Sequence, residues 1–297
     1  MKKIAAILYY ICLPFIYLVS VMPFPILYFV SDIFYLLLFY IIGYRKEVVL
    51  NNLRLSFPDK SEIELLQLRK RFYRYFCDLF LETFKTLTIS RRQMLSHCSF
   101  EDRSLALLNK LAAEGQSVLL VLGHKGNWEW AGNTFSISCP HQLFVIYHPL
   151  GNRYFDKLMY KMRTRFGTRL IAMNDTFKEM VKSRNEITAT AFIADQTPQP
   201  QSAHWMNFLN QETPVFLGAE KIATKMKRLV IFVSVQKIKR GYYKIVIKED
   251  GILNPKDYQE GGLTEAHTKK LEEDIRQQPE TWLWTHRRWK HKRNLTN

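Results

Sequence analysis

The chain has few cysteines and none of the motifs that bind common cofactors. Its 297 residues include only 4 cysteines, with no C-x-x-C pair and no metal-binding spacing. This argues against a disulfide framework or a zinc site and fits a reducing compartment. The sequence also lacks a phosphate-binding P-loop, a G-x-G-x-x-G dinucleotide fingerprint, internal repeats and a low-complexity linker. The expected organisation is one large domain, or one domain with a membrane segment.

Acidic residues are scarce relative to basic ones. There are 27 Asp and Glu residues against 43 Lys and Arg residues, which gives a net charge of +16. Such a surplus implies an acidic partner, namely nucleic acid, anionic lipid headgroups or an acidic carrier protein. No known nucleic-acid-binding module is present, so we expect no nucleic-acid partner. A basic membrane-binding or nucleic-acid-binding protein is retained as the non-enzymatic alternative.

Charge is nearly absent from the N-terminal region. Residues 4–44 are almost entirely apolar, with basic residues on both sides and a break near Pro23 and Pro25. The first half is long enough to span a bilayer. The second half either spans as well or lies in the interface, with Asp32 facing a polar neighbour. No small-x-small cleavage site follows, so we predict an uncleaved anchor over residues 1–45 rather than a signal peptide.

Residues 46–297 have the alternating pattern of an α/β domain. A capping box at Ser61–Glu64 opens a long amphipathic helix. Apolar runs then alternate with helical patterns, which predicts βαβ units. The predicted strands are 117–122, 143–147, 187–193, 229–235 and 242–248, and the predicted helices are 128–136, 152–166, 176–183 and 216–226. The expected fold class is therefore α/β, with a mixed sheet flanked by helices.

The most informative segment runs from Val118 to Trp130. A buried strand breaks at Gly123 and delivers His124 and Glu129 five residues apart. Ligands of open α/β sheets collect beyond the carboxyl ends of the strands, where His124 is expected. A histidine there can act as a general base, and a carboxylate can orient it. The alternative is a loop histidine beside a glutamate that only favours the helix dipole.

The same five-residue spacing occurs at two other histidines. His97 precedes Asp102 in a predicted loop, and His267 precedes Glu272 in what reads as a solvated helix. Residues five apart in a regular helix point about 140° away from each other, so the second pair cannot converge. Only at His124 do a strand and a turn come before the carboxylate.

Other polar residues follow predicted core elements. Arg163 and Arg165 lie at the end of a helix, and Asp195 follows a strand, so it should open on the same sheet edge as His124. An arginine there can bind a carboxylate or a developing oxyanion. Asp195 can also be a simple turn cap. The aromatic and basic tail, residues 282–290, fits a membrane-interface belt or, alternatively, stacking on nucleic-acid bases.

Four strings in this order resemble a known family, the bacterial lipid A biosynthesis (lauroyl/myristoyl) acyltransferases. They are Gly123-His124-Lys125-Gly126-Asn127-Trp128-Glu129, Arg163-Thr164-Arg165-Phe166-Gly167, Asp195-Gln196, and Trp284-Thr285-His286-Arg287-Arg288-Trp289-Lys290. With the apolar N-terminus, the resemblance covers nearly the whole chain. Lys125 departs from the pattern, because an aromatic or apolar residue is usual there.

The resemblance implies a membrane-associated acyltransferase with a glycerolipid-acyltransferase-like fold. It implies that His124 and Glu129 form the catalytic pair, with Glu129 holding the imidazole. Arg165 or Arg163, with backbone N–H groups around Gly126 and Asn127, would stabilise the oxyanion. Asp195 would be a supporting residue. No metal or redox cofactor is expected, since a thioester is already activated.

The resemblance also implies the substrates and the location. The acyl donor would be acyl carrier protein or coenzyme A, and the acceptor a hydroxyl of a lipid A precursor. Aminolipids and other glycolipids are alternative acceptors, and a hydrolase of the same fold is a further alternative. An acidic carrier, a lipid acceptor and an anionic membrane surface all suit the charge of +16. The expected location is the cytoplasmic side of the inner membrane.

Overall fold

The structure is a computed structural model that describes residues 2–293, with side chains from residue 6 onward. The helices are α1 (Lys2–Val21), α2 (Phe24–Leu36), α3 (Lys46–Ser56), α4 (Glu62–Lys85), α5 (Arg91–His97), α6 (Asp102–Ala113), α7 (Trp128–Ser138), α8 (Arg153–Thr164), α9 (Thr176–Lys182), α10 (Gly218–Met226) and α11 (Gly262–Gln277). The strands are β1 (Cys98–Phe100), β2 (Val118–Leu122), β3 (Gln142–Tyr147), β4 (Arg169–Ala172), β5 (Thr188–Ile193), β6 (His204–Phe208), β7 (Gln211–Val215), β8 (Val230–Phe232), β9 (Ser234–Lys239), β10 (Tyr242–Val246) and β11 (Ile252–Leu253). A π-helix, Leu37–Ile42, continues α2.

A six-stranded sheet forms the centre of the domain. Its strand order is β11-β8-β2-β5-β3-β4. All neighbouring pairs are parallel except β11 with β8. Leu122 at the end of β2 pairs with Ile193 at the end of β5. Because the two strands end side by side, the residues that follow each of them meet at one edge of the sheet.

Two smaller sheets complete the strand structure. One has the order β1-β10-β9, and the other is the β6–β7 hairpin. The single strand predicted over residues 229–235 is wrong, because the chain leaves the central sheet at Val233 and continues as β9 in the second sheet. Strand β10, where alternation predicted a half-exposed strand, has alternating buried and partly exposed residues.

Helices pack around these sheets, which confirms the predicted mixed α/β class. Helix α7 contacts β3, and α10 contacts β2 and β8. The predicted capping box opens α4: the Ser61 N–H donates to Glu64 Oε2 at 2.9 Å, and the Glu64 N–H donates back to Ser61 Oγ at 3.4 Å. One continuous hydrophobic core reaches from α3 and α4 through the central sheet to α11.

The N-terminal helices pack one side against α4 and expose the other. Phe24–Ile42 is long and apolar enough to cross a membrane, with a mean hydropathy of 2.0, and Ala6–Val21 is a shorter apolar helix. Phe15 of α1 is 67% exposed and Ile41 is 75% exposed. A large apolar surface exposed in this way is typical of membrane contact.

A polar network fastens α2 to the α/β domain. Ser31 donates to Asp78 of α4 at 2.7 Å. Arg240, in the β9–β10 turn, donates to Asp32 and Asp78, each at 2.7 Å. Asp32 thus faces a polar neighbour. The middle of this apolar segment is therefore attached to the domain by charged and polar side chains.

Several predicted surface residues are in fact buried. Trp282 and Trp284 are 2% and 0% exposed and pack in the core, so the predicted interfacial belt is wrong for these two residues. His97 is not in a loop: it ends α5 and stacks on Phe24 at 3.8 Å between ring centroids. His267 lies in α11 as predicted, but on its buried face. Long-range packing covers these residues, and local sequence patterns do not report it.

Candidate active site

Two glycines shape the turn that follows β2. A Cβ at Gly123 would lie 2.6 Å from the side chain of Leu271. Gly126 has φ +57°, and a Cβ there would lie 2.2 Å from the carbonyl oxygen of Val235. Only glycine fits such a close approach with a positive φ. The turn places His124 at the carboxyl edge of the central sheet.

His124 is bonded to Asp195, which follows β5. His124 Nδ1 lies 2.6 Å from Asp195 Oδ1, and the His124 backbone N–H donates to Oδ2 at 2.7 Å. The indole N–H of Trp282 donates to the same Oδ2 at 2.7 Å. An ionised carboxylate only accepts hydrogen bonds, so Nδ1 carries the proton and Nε2 is the basic nitrogen.

The environment of Asp195 favours its ionised form. The carboxylate is 6% exposed, and burial alone raises its pKa. The charge and hydrogen bonds of His124, with the Trp282 bond, outweigh burial and lower the pKa of Asp195 to about 2. The residue is therefore a fixed negative charge behind the imidazole at neutral pH.

Glu129 forms an ion pair with Arg163 of α8. Arg163 Nε donates to Glu129 Oε2 at 2.9 Å, and Nη2 donates to Oε1 at 2.5 Å. Burial raises the pKa of Glu129, but the charge of Arg163 more than compensates, so its pKa lies below the ordinary value. His124 is near enough to lower that pKa as well. The bidentate pair holds Arg163 at the site.

The structure differs from the predicted contacts at Glu129, Arg165 and Gly126. Asp195, not Glu129, is bonded to the imidazole. Arg165 points elsewhere and donates to the carbonyl oxygens of Thr86 and Ile89 at 2.5 Å. The Gly126 N–H donates to Thr281 O at 3.0 Å, so it is already bonded.

Asn127 is likewise part of the scaffold. It caps α7 by accepting from the Trp130 N–H at 2.9 Å and donates to Glu82 at 2.8 Å. The predicted turn-and-cap role of this residue is confirmed. Its side chain is fully buried.

An apolar cavity of about 590 Å³ adjoins this cluster. It lies between the central sheet and α7, and its polar end is formed by His124, Trp128, Glu129, Arg163 and Gln196. Its other lining side chains include Leu120 and Leu122 of β2, Phe135 of α7, Leu143 and Val145 of β3, and Ile193 of β5. Asn133, Tyr147, His148 and Thr168 also line the cavity. Its size is usual for a small-ligand pocket.

Lys125, the departure from the family pattern, does not line this cavity. Its side chain is buried, and its amino group lies 3.2 Å from Asp274 of α11. Its backbone forms a bridge with Trp282. Sequence reasoning missed Trp282 as a partner of Asp195, because 87 residues separate the two in the chain. Within residues 2–293, no group of three or more His, Cys, Asp or Glu side chains is placed to hold a metal ion.

Comparison with known families identifies the chain. A search of curated proteins gives no significant match. The family described as bacterial lipid A biosynthesis acyltransferase matches residues 2–291, which is nearly the whole chain and includes every residue of the cluster around His124. The chain therefore belongs to the bacterial lipid A biosynthesis acyltransferases.

Proposed function

We propose that the protein transfers a fatty acyl chain from a thioester to a hydroxyl of a lipid A precursor, with His124 as general base. The family supports acyl transfer in lipid A biosynthesis. The observation that carries the finer proposal is the His124–Asp195 pair at the polar end of an apolar cavity. The pair supplies a base, and the cavity supplies a place for the acyl chain.

The reaction uses the Nε2 nitrogen of His124. It accepts the proton of the acceptor hydroxyl while that oxygen attacks the thioester carbonyl. The tetrahedral intermediate then expels the thiolate, which takes the same proton back from His124. Asp195 orients the ring through Nδ1 and stabilises the imidazolium that exists between these two transfers. The products are an ester and a free thiol, and no other reactant is consumed.

Arg163 is our candidate for stabilising the oxyanion. Its guanidinium lines the polar end of the cavity and is fixed there by Glu129. A positioned cation is most effective where charge develops in a site with little water. Arg165 is excluded from this assignment because it does not line the cavity, and its Nη1 donates to the carbonyl oxygens of Thr86 and Ile89.

The cavity is our candidate for the acyl site. Gly132 of α7 lines it, and a Cβ at Gly132 would lie 4.0 Å from Leu143. A side chain added there would enter the space without striking the backbone. The length of chain accepted is then set by how far the apolar lining extends, because each buried methylene contributes about 0.8 kcal/mol.

The N-terminal helices are our candidate membrane contact. The outer faces of α1 and α2 are apolar and exposed, while the polar network of Arg240, Asp32 and Asp78 holds α2 to the domain. We therefore propose that the enzyme sits on the cytoplasmic face of the inner membrane, where acyl carrier protein or coenzyme A delivers the donor. We also propose that its fold is of the glycerolipid-acyltransferase kind.

Mass spectrometry of membrane lipids tests the proposal. Lipids are compared between cells that have the gene, cells that lack it, and cells that carry His124→Ala. We expect lipid A to lose one acyl chain in the last two strains, with the mass difference giving the chain length. Loss of an acyl group from another lipid would leave the chemistry intact but make the acceptor wrong. Unchanged lipids would refute the proposal.

A further inference from the structure

We propose that a cleft between α3 and residues 283–293, called the C-terminal segment below, binds a phosphate-bearing lipid headgroup. The inference rests on the proposed function, in which this headgroup belongs to the acyl acceptor. The cleft, called the basic cleft below, has a volume of about 780 Å³. Its lining includes Val48 and Leu55 of α3 and Arg287, Trp289, Lys290 and Arg293 of the C-terminal segment.

The cations of the basic cleft are largely uncompensated. Arg287 and Lys290 are exposed, and neither has a carboxylate within ion-pair distance in the part of the chain that the structure describes. Arg293 lies 3.2 Å from Glu212, which is the acidic residue in the lining. Unpaired arginine and lysine beside one another favour an anion with several oxygens, such as a phosphate group.

The cleft is connected to the catalytic histidine through the backbone. The Leu283 N–H donates to the carbonyl oxygen of His124 at 3.1 Å. Arg287 follows four residues later, so its Cα lies at most about 14 Å from that of Leu283. Between them, His286 is close enough to Asp195 for the carboxylate charge to act on its pKa, although burial dominates and lowers it to about 4. The cleft and the cavity lined by His124 have no described lining residue in common, and the backbone of residues 283–287 leads from the turn that carries His124 to the cleft.

The position of α3 favours a lipid over a soluble protein as the occupant. Helix α3 begins four residues after the π-helix Leu37–Ile42, whose Ile41 is strongly exposed. Arg45, between them, donates to the carbonyl oxygen of Thr285 at 2.9 Å and so joins the apolar segment to the C-terminal segment. The cleft thus opens where the apolar surface ends, the level at which lipid headgroups lie. Its apolar wall, Val48 and Leu55, suits a lipid better than an acidic helix surface.

Vesicle binding by the full-length protein tests the inference without an acyl donor. The vesicles are phosphatidylcholine alone, or phosphatidylcholine with lipid A, with lipid A from which the phosphates have been removed, or with phosphatidylglycerol of equal charge. Inorganic phosphate is added as a competitor. The variant is Arg287→Gln with Lys290→Gln. The matched control is Lys178→Gln with Lys221→Gln, two exposed lysines on α9 and α10. Thermal unfolding confirms that both variants are folded.

We expect the cleft variant to bind lipid A vesicles roughly tenfold or more weakly, because two charge-assisted contacts are lost. The control should bind as the wild type does, and removal of the phosphates should abolish the difference. If the cleft variant and the control lost the same affinity for lipid A vesicles, only general charge attraction would be shown and the inference would be overturned. The same holds if the cleft variant lost as much affinity for phosphatidylglycerol vesicles as for lipid A vesicles. The inference would also be overturned if inorganic phosphate inhibited binding to all vesicles and the protein showed no preference for lipid A.

Steady-state kinetics separates this inference from the proposed function. We expect the cleft variant to raise KM for the lipid acceptor and leave KM for the acyl donor unchanged. A rise in the donor KM alone would assign the cleft to the carrier protein and refute the inference. If the wild type binds lipid A through the cleft but transfers no acyl group, the proposed function fails while the binding site stands.

Discussion

His124 and His267 share a sequence spacing but occupy opposite environments. Each precedes a glutamate by five residues. His124 reaches a cavity through one ring nitrogen and is bonded to Asp195 through the other. His267 is 4% exposed, and its Nε2 has no hydrogen-bond partner among the described residues. Burial lowers the pKa of His267 to about 4.

The two histidines differ in which group is bonded to the ring. Glu272, the glutamate after His267, bonds instead to the Leu209 N–H and to Arg276. Glu129, the glutamate after His124, bonds instead to Arg163. In neither case does the nearby glutamate hold the ring. The carboxylate bonded to His124 is that of Asp195, which follows a neighbouring strand, because parallel strands bring distant residues to one edge.

The largest expected effect separates the two histidines directly. His124→Ala should lower turnover by roughly 10²–10⁴-fold, the usual contribution of a general base. His267→Leu should leave turnover within a few-fold of the wild type, because it exchanges a neutral core residue for an apolar one. Initial rates of acyl transfer by the two purified variants measure the contrast. Comparable activity in both variants would remove His124 as the base.

The second prediction compares Asp195, which is bonded to His124, with Glu272, which follows His267 in the sequence. Asp195→Asn should lower kcat by roughly 10²–10⁴-fold, since the amide neither fixes the proton on Nδ1 nor stabilises the imidazolium. Glu272→Gln is the matched control and should leave kcat unchanged, because Glu272 does not contact either ring. Rates across the pH range give the test. A normal rate for Asp195→Asn would make the observed hydrogen bond irrelevant to catalysis.

The third prediction concerns Glu129, whose partner is Arg163 rather than His124. Glu129→Gln should reduce kcat by roughly tenfold to a hundredfold, because the guanidinium loses its bidentate anchor and no longer points at the oxyanion. Arg165→Lys, a change in a neighbouring arginine that bonds only to backbone carbonyls, should alter thermal stability and leave kcat nearly unchanged. If Arg165→Lys lost more activity than Glu129→Gln, the assignment of the arginines would be reversed.

The fourth prediction uses the burial of His267. A histidine with a folded-state pKa of about 4 and an unfolded-state pKa near 6.5 binds fewer protons when folded. Its stabilising contribution is therefore present above pH 6.5 and lost as the pH falls towards 4. Between pH 7 and pH 5 this loss is about 2 kcal/mol.

His267→Leu should make the free energy of unfolding less sensitive to acid by that amount. Urea unfolding in detergent at pH 7 and pH 5 measures the difference for each protein. The pKa values of His97, His141 and His286 are also lowered by burial, but they contribute equally to wild type and variant. An unchanged pH dependence would mean that His267 is accessible to water.

The smallest effect probes the apolar side of the site. Gly132→Leu should fill part of the cavity and lower kcat/KM for long acyl chains relative to shorter ones, by about fourfold for each methylene that no longer fits. Competition between donors of different chain length gives this ratio in a single assay. Gly151→Ala is the control, because Gly151 is an exposed lining residue and a Cβ there meets nothing within 4 Å. Equal losses for all chain lengths would show damage rather than exclusion.

Sequence by itself determined the local framework of this protein. The apolar run before Gly123, the turn formers Gly126 and Asn127, and the helix from Trp128 predicted where His124 would lie. These features depend on periodicity, turn geometry and capping, which act over a few residues. The capping box at Ser61 and the apolar N-terminus were readable for the same reason.

Only the tertiary structure decided which groups meet. The bonds of His124 to Asp195, of Trp282 to Asp195 and of Glu129 to Arg163 join residues 71, 87 and 34 positions apart. The strand order β8-β2-β5-β3 sets which strand ends are neighbours, and no local pattern reports that order. Burial acts in the same way on His267 and Trp284, because a side chain is covered by elements distant in sequence. The local sequence pattern around Gly123 thus predicted where His124 lies, and the packing of the sheet determined which carboxylate is bonded to it.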